Sequence, residues 1–404
     1  MATLYLEWLL FMLASMELIV SLYKRHVSSL VLITCAASFF FANIIAKNIM
    51  DSSDFATWTY LVAMIAFFFS FSTLGQEQLI LRFSQKYNDN IEIELYTLIS
   101  ILLSILLFMP LSFMIFGGNE VGIDTGYIVI LSILASVCKV SYQIYRVREC
   151  FFLAQVSLNF WKLAVLILLL LYYLLKVELI FILSLSIGII LLCIQIKIVK
   201  ITSIAYVKDR FSYSFNYFIS MGVMSLFVYS ERFILEGKVT SLELSEYLYA
   251  MTISLSPYAI IASYLGFKEA VKYKNKFSLT ILRDDILLGF RALVLFSVFW
   301  FSILKFFSSY IGLILSLETT ILLMAIGIVK CLYSYLSSAM TIVMSSKVMF
   351  KVNLITVVSS AIFYIILNSF ISSISLVLLF ILLLWLARSL SVTYFLTIGV
   401  SDND

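Results

Sequence analysis

Five polar side chains recur at helical spacing within the apolar segment 126–147. They follow one another at intervals of 4, 3, 4 and 3 residues: Ser132, Ser136, Lys139, Gln143 and Arg146. Residues at this spacing lie on one face of a helix. Cationic and amide side chains on a single face suit an anionic ligand that also carries hydroxyl groups, because both kinds of group form hydrogen bonds with them.

A second polar stripe begins just before the next apolar segment, 150–174. It consists of Arg148, Gln155, Asn159 and Lys162. Lys162 lies 12 residues inside the segment, which corresponds to a depth of about 18 Å in a helix. A lysine at the centre of a bilayer costs roughly 2.5–3.5 kcal/mol. The position therefore predicts that Lys162 faces an aqueous cavity rather than lipid.

A third polar stripe lies much later in the chain, in segment 312–345. It consists of Gly327, Lys330, Ser334, Ser337, Thr341 and Ser345. Lys330, like Lys162, is too deep to reach the membrane surface easily. We therefore expect the three stripes to line one cationic cavity.

Two carboxylates and one arginine are candidates for controlling this cavity. Glu77 follows the second apolar segment, and Glu231 and Arg232 are adjacent near the end of a later one. Glu231 and Glu77 are candidates for ion coupling or for a gate, and Arg232 is a candidate for substrate contact. A local ion pair between Glu231 and Arg232, with a purely structural role, explains those two residues equally well.

The cations of the first two stripes also have a simpler interpretation. Arg146 and Arg148 can anchor helix ends on the cytoplasmic side, where basic residues are enriched. Lys139 can extend along its helix until the ammonium group reaches the interface. Both interpretations stay open beside the cavity.

Few other residues could perform covalent chemistry. His26 is the only histidine, and the 5 cysteines form no Cys-x-x-Cys pair, so neither a metal site nor a disulfide framework is expected. The sequence contains no Gly-x-x-x-x-Gly-Lys-Ser/Thr loop, which excludes a resident ATPase of that type. We expect a protein that is not an enzyme and needs no cofactor.

The sequence around these polar residues is strongly apolar. Of its 404 residues, 63% are hydrophobic and 12% charged, with a mean hydropathy of +1.09, whereas soluble domains carry about 25% charged residues. This excludes a soluble enzyme, a disordered protein and a nucleic-acid-binding protein. Only 2 Pro and 13 Gly interrupt the chain, whose apolar runs of about twenty residues favour spanning helices over a β-barrel. We predict an all-α polytopic membrane protein.

Twelve apolar segments predict about twelve transmembrane helices in two lobes of six. The N-lobe, residues 27–200, contains segments 27–46, 56–74, 94–116, 126–147, 150–174 and 178–200. The C-lobe, residues 211–398, contains segments 211–230, 244–266, 285–308, 312–345, 350–371 and 374–398. A linker, 201–210, joins the lobes, and a tail, 399–404, ends the chain. The N-terminal segment 1–26 includes an apolar stretch, 3–23, that is either an extra span or an interfacial helix.

The basic residues indicate the orientation. Of the 27 lysines and arginines, 17 fall in alternate loops on one side, 4 on the other side and 6 within the spans. Because cytoplasmic loops are enriched in basic residues, both ends of the twelve-helix bundle are predicted to be cytoplasmic.

A short repeat relates the two lobes. Residues 60–64 read YLVAM and residues 247–251 read YLYAM, at an offset of 187 residues. Each block follows the first helix of its lobe and an acidic loop. Transporters built from repeats related by an axis along the membrane normal bind substrate between the repeats.

Two segments carry a family resemblance. Residues 42–75, ANIIAKNIMDSSDFATWTYLVAMIAFFFSFSTLG, resemble the first two helices of the polysaccharide flippases in the MATE-like superfamily of multidrug, oligosaccharidyl-lipid and polysaccharide (MOP) exporters. Residues 229–251, YSERFILEGKVTSLELSEYLYAM, resemble that family's seventh helix, outer loop and eighth helix. Glu231 stands where the family more commonly has Asp, and stretch 3–23 has no clear counterpart.

The resemblance implies a fold and a function. It implies a transporter of the bacterial inner membrane that flips an undecaprenyl-diphosphate-linked oligosaccharide to the outer leaflet, for O-antigen or capsule biosynthesis, by alternating access. Coupling to H⁺ or Na⁺ and contact with the polysaccharide polymerase machinery and membrane lipids are implied in the same way. The diphosphate would bind the cations of the stripes, and the sugars would bind their polar side chains.

Two other functions compete with this one. A MATE-type drug/cation antiporter has the same architecture, but cationic substrates favour buried carboxylates over buried lysines. A polysaccharide polymerase has a similar length and helix count, but usually carries a large, Arg-rich outer loop, whereas the outer loops here are short and acidic.

Overall fold

A computed structural model describes residues 27–87, 90–116, 125–171, 199–202, 207–235, 240–313, 316–370 and 374–401. Most of these residues are helical. The N-terminal half contains α1 (Val27–Ile49), α2 (Ser52–Phe71), α3 (Gln78–Phe83), α4 (Leu95–Phe116), α5 (Thr125–Val147) and α6 (Phe151–Leu171). The C-terminal half contains α7 (Val207–Leu235), α8 (Ser241–Asn275), α9 (Leu279–Phe307), α10 (Leu317–Val343), α11 (Ser346–Phe370) and α12 (Ile374–Ser401).

Nine helices in the described ranges are long and apolar enough to cross a membrane. They are α1, α4, α5, α6, α8, α9, α10, α11 and α12. Such a set of apolar helices is the pattern of a multi-pass α-helical membrane protein, as the composition predicted. The arrangement of twelve spans in two equivalent lobes stays a prediction.

Several predicted boundaries differ from the structure. The sixth predicted span, 178–200, falls largely outside the described residues, and its last two residues belong to a strand, β3 (Val199–Thr202). The predicted linker 201–210 is divided between β3 and the start of α7. Helix α12 continues to Ser401, into the predicted tail. The N-terminal segment 1–26, including stretch 3–23, lies outside the described residues.

The connection between the second and third predicted spans, residues 75–93, is folded. It contains α3 and two strands, β1 (Gln85–Tyr87) and β2 (Asn90–Glu94). Strands β1 and β2 are antiparallel, and β2 pairs in parallel with β3. Residues Ile91 and Ile93 are buried while glutamates alternate with them, which is the period of two of a half-buried strand. The same alternation is present in the sequence, but it covers only four residues and is much shorter than the neighbouring apolar runs, so it did not predict a strand.

Side-chain caps define where several helices begin. Thr240 and Glu243 form a capping box at the start of α8, in which the Thr240 backbone N–H donates to Glu243 Oε2 at 2.9 Å. The backbone N–H and the hydroxyl of Thr240 together hold the pKa of Glu243 below its usual range. Ser278 and Ser316 cap α9 and α10, because each hydroxyl oxygen accepts a hydrogen bond from a backbone N–H of the first turn. These caps satisfy the free N–H groups of the first turn.

Two cations join the halves at the end of the bundle that contains α3 and the sheet, here called the basic end. Arg82 of α3 donates to the backbone oxygens of Thr341 (2.5 Å) and Met344 (2.9 Å), at the C-terminus of α10. Lys274 of α8 donates to the backbone oxygens of Leu81 (2.8 Å) and Ser84 (3.1 Å), at the C-terminus of α3. Cations stabilise helix C-termini because the last carbonyls there lack intrahelical partners.

An additional ion pair fixes the sheet against α7. Arg210 donates to both carboxylate oxygens of Glu94 at 2.8 Å. This is the bidentate geometry in which arginine binds carboxylates most strongly. The strands of the basic end are therefore tied to the first helix of the C-terminal half.

Helices α8 and α10 form the central pair of the C-terminal half. They approach closely at Gly327, where an added Cβ would lie 2.5 Å from Cγ of Tyr258. The Tyr258 ring is held in place, because its hydroxyl donates to Ser297 Oγ on α9 at 2.6 Å. Small residues at such crossings let membrane helices pack at short distance.

The repeated blocks 60–64 and 247–251 lie in α2 and α8, respectively. These two helices meet at Phe55 and Tyr249, whose ring centroids are 5.7 Å apart. Equivalence of the two halves by an internal repeat stays a prediction.

The Gly327 contact predicts a specific loss of stability. Gly327→Ala should lower the free energy of unfolding by about 1–3 kcal/mol, because overpacking a tight interface forces the helices apart. The thermal midpoint Tm of the purified protein in detergent measures this change. Gly222→Ala is the matched control, since no heavy atom lies within 4 Å of its new Cβ. Equal Tm values for both variants would contradict the tight α8–α10 crossing.

Candidate functional site

A cavity of about 410 Å³ lies between the two halves near the basic end. Helices α2, α3, α5 and α6 line one side, and α8 and α10 line the other. Four of the residues predicted from the sequence line it: Glu77, Lys139, Gln143 and Arg146. Ser334, Ser337 and Thr341 of the third stripe face them from α10.

Glu77 and Lys139 form a buried ion pair in this cavity. Lys139 Nζ lies 3.0 Å from Glu77 Oε1, and the two side chains are 8% and 3% exposed. The same ammonium donates to the backbone oxygen of Ser70 at 2.7 Å. The hydroxyl of Thr73 donates to the other carboxylate oxygen of Glu77. The charge of Lys139 is therefore compensated inside the protein by Glu77.

The local backbone explains how Glu77 comes to lie inside. Helix α2 ends at Phe71, and the following turn takes positive φ at Leu74 (46°) and Gly75 (82°). Glycine adopts this conformation without strain. An added Cβ at Gly75 would lie 2.5 Å from Met221 Cγ and 2.9 Å from the backbone oxygen of Tyr217. The turn therefore needs glycine, and it directs Glu77 toward α5.

Arg146 is the second cation of the cavity and binds no carboxylate in the described part of the chain. Its Nη1 donates to Gln143 Oε1 at 3.1 Å, and its Nη2 donates to the backbone oxygens of Gly266 and Phe267. Its Nε has no hydrogen-bond partner among the described residues. Arg146 is 5% exposed, so its guanidinium group lies inside the protein.

The charged groups of the lining leave one positive charge. One carboxylate, Glu77, and two cations, Lys139 and Arg146, give a net formal charge of +1. The rings of Tyr142 and Phe267 stack against the Arg146 guanidinium, with centroids 5.1 and 5.4 Å from Cζ. Hydroxyl groups of α10 complete the surface. The cavity can therefore bind an anionic group beside neutral hydrogen-bonding groups.

None of the four residues of the second stripe lines this cavity. Lys162 donates to Asn159 Oδ1 at 2.8 Å, and Asn159 donates in turn to Gln155 Oε1 at 2.9 Å, all on α6. Arg148 follows the end of α5. The structure thus separates Lys162 and Asn159 from the Glu77–Lys139 pair, and their role in substrate binding stays a prediction.

The other predicted residues have different surroundings. Lys330 lies over the ring of Trp385 on α12, 5.4 Å from its centroid, and does not line the cavity. Glu231 and Arg232 lie near the end of α7, where the described structure is limited to the backbone. Their predicted roles as gate and substrate contact stay predictions.

Arg388 of α12 is a buried cation that the sequence reasoning missed. Its side chain is 0% exposed and donates to Tyr333 and Ser220. It is one of the six basic residues predicted inside spans, and that count was the signal that could have found it. It stands alone on its helix rather than on a polar stripe, so spacing did not single it out.

In the part of the chain that the structure describes, no group of three or more His, Cys, Asp or Glu side chains is placed to bind a metal ion. The polar groups of the cavity are hydroxyls, amides, one carboxylate and two cations.

The fold and the cavity define a multi-pass α-helical membrane protein with a polar cavity between its halves. Compared with protein-family models, with curated proteins and with solved structures, the chain gives no significant match.

The buried ion pair predicts a non-additive stability pattern. Lys139→Met should lower the free energy of unfolding by about 3–5 kcal/mol, because it leaves the Glu77 carboxylate buried without a counter-charge. The double variant Glu77→Gln/Lys139→Met should regain most of this loss, as measured by Tm in detergent.

A surface pair of the same type provides the control. Lys86 and Glu149 lie 3.3 Å apart, with side chains 44% and 53% exposed, so Lys86→Met should change stability by about 0–1 kcal/mol. The single variants Glu77→Gln and Lys139→Met each lose some free energy of unfolding. If the double variant loses as much as these two losses added together, Glu77 and Lys139 do not interact.

Proposed function

We propose that the protein flips undecaprenyl-diphosphate-linked oligosaccharide repeat units from the cytoplasmic to the outer leaflet of a bacterial inner membrane. The product would serve the biosynthesis of a surface polysaccharide such as O-antigen or capsule. In this proposal the protein is a transporter and not an enzyme, its C-terminus is cytoplasmic, and the polysaccharide polymerase machinery is a partner.

One observation carries the proposal: a buried arginine faces the cavity between the halves without a carboxylate partner among the described residues. Arginine binds phosphate groups through planar, charge-assisted hydrogen bonds, and Arg146 Nε is a donor left for such a contact. Ser334, Ser337 and Thr341 lie across the cavity, where sugar hydroxyls could bind. The polyprenyl chain would stay in the lipid.

Alternating access requires the halves to separate at one end at a time. At the basic end, Arg82 and Lys274 join α3 to α10 and α8 through backbone carbonyls. Arg146 adds two bonds to carbonyls of α8 at the cavity itself. We propose that opening toward the cytoplasm breaks these contacts, and that a diphosphate replaces the carbonyl oxygens as the partner of Arg146.

Glu77 is the proposed site of ion coupling. Protonation would remove its attraction for Lys139, which lies 3.0 Å away, and would leave a second cation free to bind the anionic substrate. A proton gradient would then alter the charge of the cavity from +1 toward +2. Sodium coupling at the same carboxylate would require the Lys139 ammonium to move away first.

Deletion of the gene tests the proposal directly. Mass spectrometry of lipid-linked intermediates should then find complete repeat units accumulating on the inner leaflet. Surface polysaccharide reduced to single capped repeat units would instead indicate a polymerase, and an unchanged intermediate pool with a normal surface glycan would contradict both functions.

Substitution of the cavity arginine should reduce export. Arg146→Gln is expected to lower the rate of surface-polysaccharide export about ten- to hundredfold, since a hydrogen bond to a charged group contributes roughly 1.5–3 kcal/mol. Arg283→Gln is the matched control, because Arg283 is an exposed basic residue of α9 that does not line the cavity. Export in a deletion strain, corrected for protein level, is the measurement. Equal export by both variants would contradict the cationic-cavity mechanism.

A drug/cation antiporter is the second candidate, and one observation favours it. Glu77 is a carboxylate that faces the cavity and is 3% exposed at its side chain, as recognition of a cation would require. Overexpression should then raise resistance to cationic dyes, and Glu77→Gln should abolish that gain. The proximity of Lys139 and Arg146 argues for the anionic substrate instead.

A further inference from the structure

A second anion-binding position is indicated by Arg388 of α12, which does not line the cavity. Arg388 lies 14 residues after the first residue of α12, which places it about 21 Å along that helix and near the middle of its apolar span. The residue is 0% exposed. Charged side chains at this depth are rare and usually mark functional sites.

The contacts of Arg388 satisfy only part of its guanidinium group. Its Nε donates to the hydroxyl of Tyr333 on α10, and its Nη2 donates to Ser220 Oγ on α7, each at 2.7 Å. Its Nη1 is buried and has no hydrogen-bond partner among the described residues. Three helices thus converge on one cation through two neutral hydroxyl groups.

The guanidinium of Arg388 faces the ring of Tyr333, with Cζ 5.5 Å from the ring centroid, but no carboxylate among the described residues compensates its charge. None of their carboxylates forms an ion pair with Arg388. Arginine does not lose its proton in proteins, so it cannot become neutral as a buried lysine can. A water molecule could satisfy the N–H groups of Nη1 but would leave the charge in an apolar interior, which is unfavourable. An anion satisfies both.

The surrounding rings limit the size of that anion. Tyr333 and Trp385 pack edge to face with centroids 5.4 Å apart, so α10 and α12 are in close contact beside Arg388. Lys330 lies over the ring of Trp385, 5.4 Å from its centroid, and adds positive potential. The close contact between α10 and α12 favours a small ion over a bulky diphosphate.

We propose that Arg388 binds a small monovalent anion, such as chloride, at its free Nη1 between α7, α10 and α12. The ion would neutralise the buried guanidinium and stabilise the packing of these helices. The proposal does not depend on the proposed transport function, because Arg388 does not line the cavity that contains Arg146.

Thermal stability measures binding of this ion. The purified full-length protein in detergent is heated in potassium chloride, potassium bromide or potassium gluconate at constant ionic strength. A ligand that binds only the folded state raises Tm with its concentration. Tm should therefore be higher in chloride and bromide than in gluconate, and it should rise with each further increase in halide concentration.

Two variants locate the effect. Arg388→Gln should abolish the difference between halide and gluconate, because its side chain is neutral. Arg146→Gln should retain the difference, which separates this position from the cationic cavity. A wild-type Tm that is the same in halide and gluconate, or a halide effect that persists in Arg388→Gln, would overturn the proposal.

A direct measurement covers the case in which Arg388→Gln does not fold. Crystals of the wild-type protein grown in bromide should show anomalous scattering from one bromide ion within hydrogen-bond distance of Arg388 Nη1. Anomalous density at Arg146 alone, or none within reach of Arg388, would refute the assignment.

Discussion

The ion pair between Glu77 and Lys139 determines how the site is built. A carboxylate in the interior of a membrane protein needs a counter-charge, and Lys139 supplies it from α5, at 3.0 Å. To reach α5, the chain must leave α2 and turn sharply, which the positive φ at Gly75 allows. That turn starts α3 and the short sheet, and α3 carries Arg82 to α10. The contact that Arg82 makes between the halves thus depends on the same turn that brings Glu77 to Lys139.

Composition and periodicity predicted the class of fold because these signals are strong in membrane proteins. Apolar runs of about twenty residues have few other uses, and the described helices agree with most of the predicted spans. The short strands at the basic end escaped prediction, since Ile91 and Ile93 give only two alternations. Their burial depends on partners distant in sequence, among them the parallel strand β3.

The candidate site was predictable where its residues lie on a single helix. Spacing placed Lys139, Gln143 and Arg146 on one face of α5, and the structure places these three in one cavity with Glu77. Spacing gives the face of a helix but not which neighbour that face meets. For this reason Lys162 and Lys330 were predicted to line the same cavity, and Arg388 was only counted among the basic residues within spans, whereas their partners depend on the tertiary arrangement.

The contacts that Arg82 and Arg146 make between the halves do not depend on pH. Both guanidinium groups bind backbone carbonyl oxygens rather than carboxylates. Arginine keeps its proton in proteins, and a peptide carbonyl has none to gain in the physiological range. These bonds between the halves therefore have the same strength in acid and in neutral solution. Acidification can loosen the basic end only through groups that titrate, such as the carboxylate of Glu94, which binds Arg210, and that of Glu77 in the cavity.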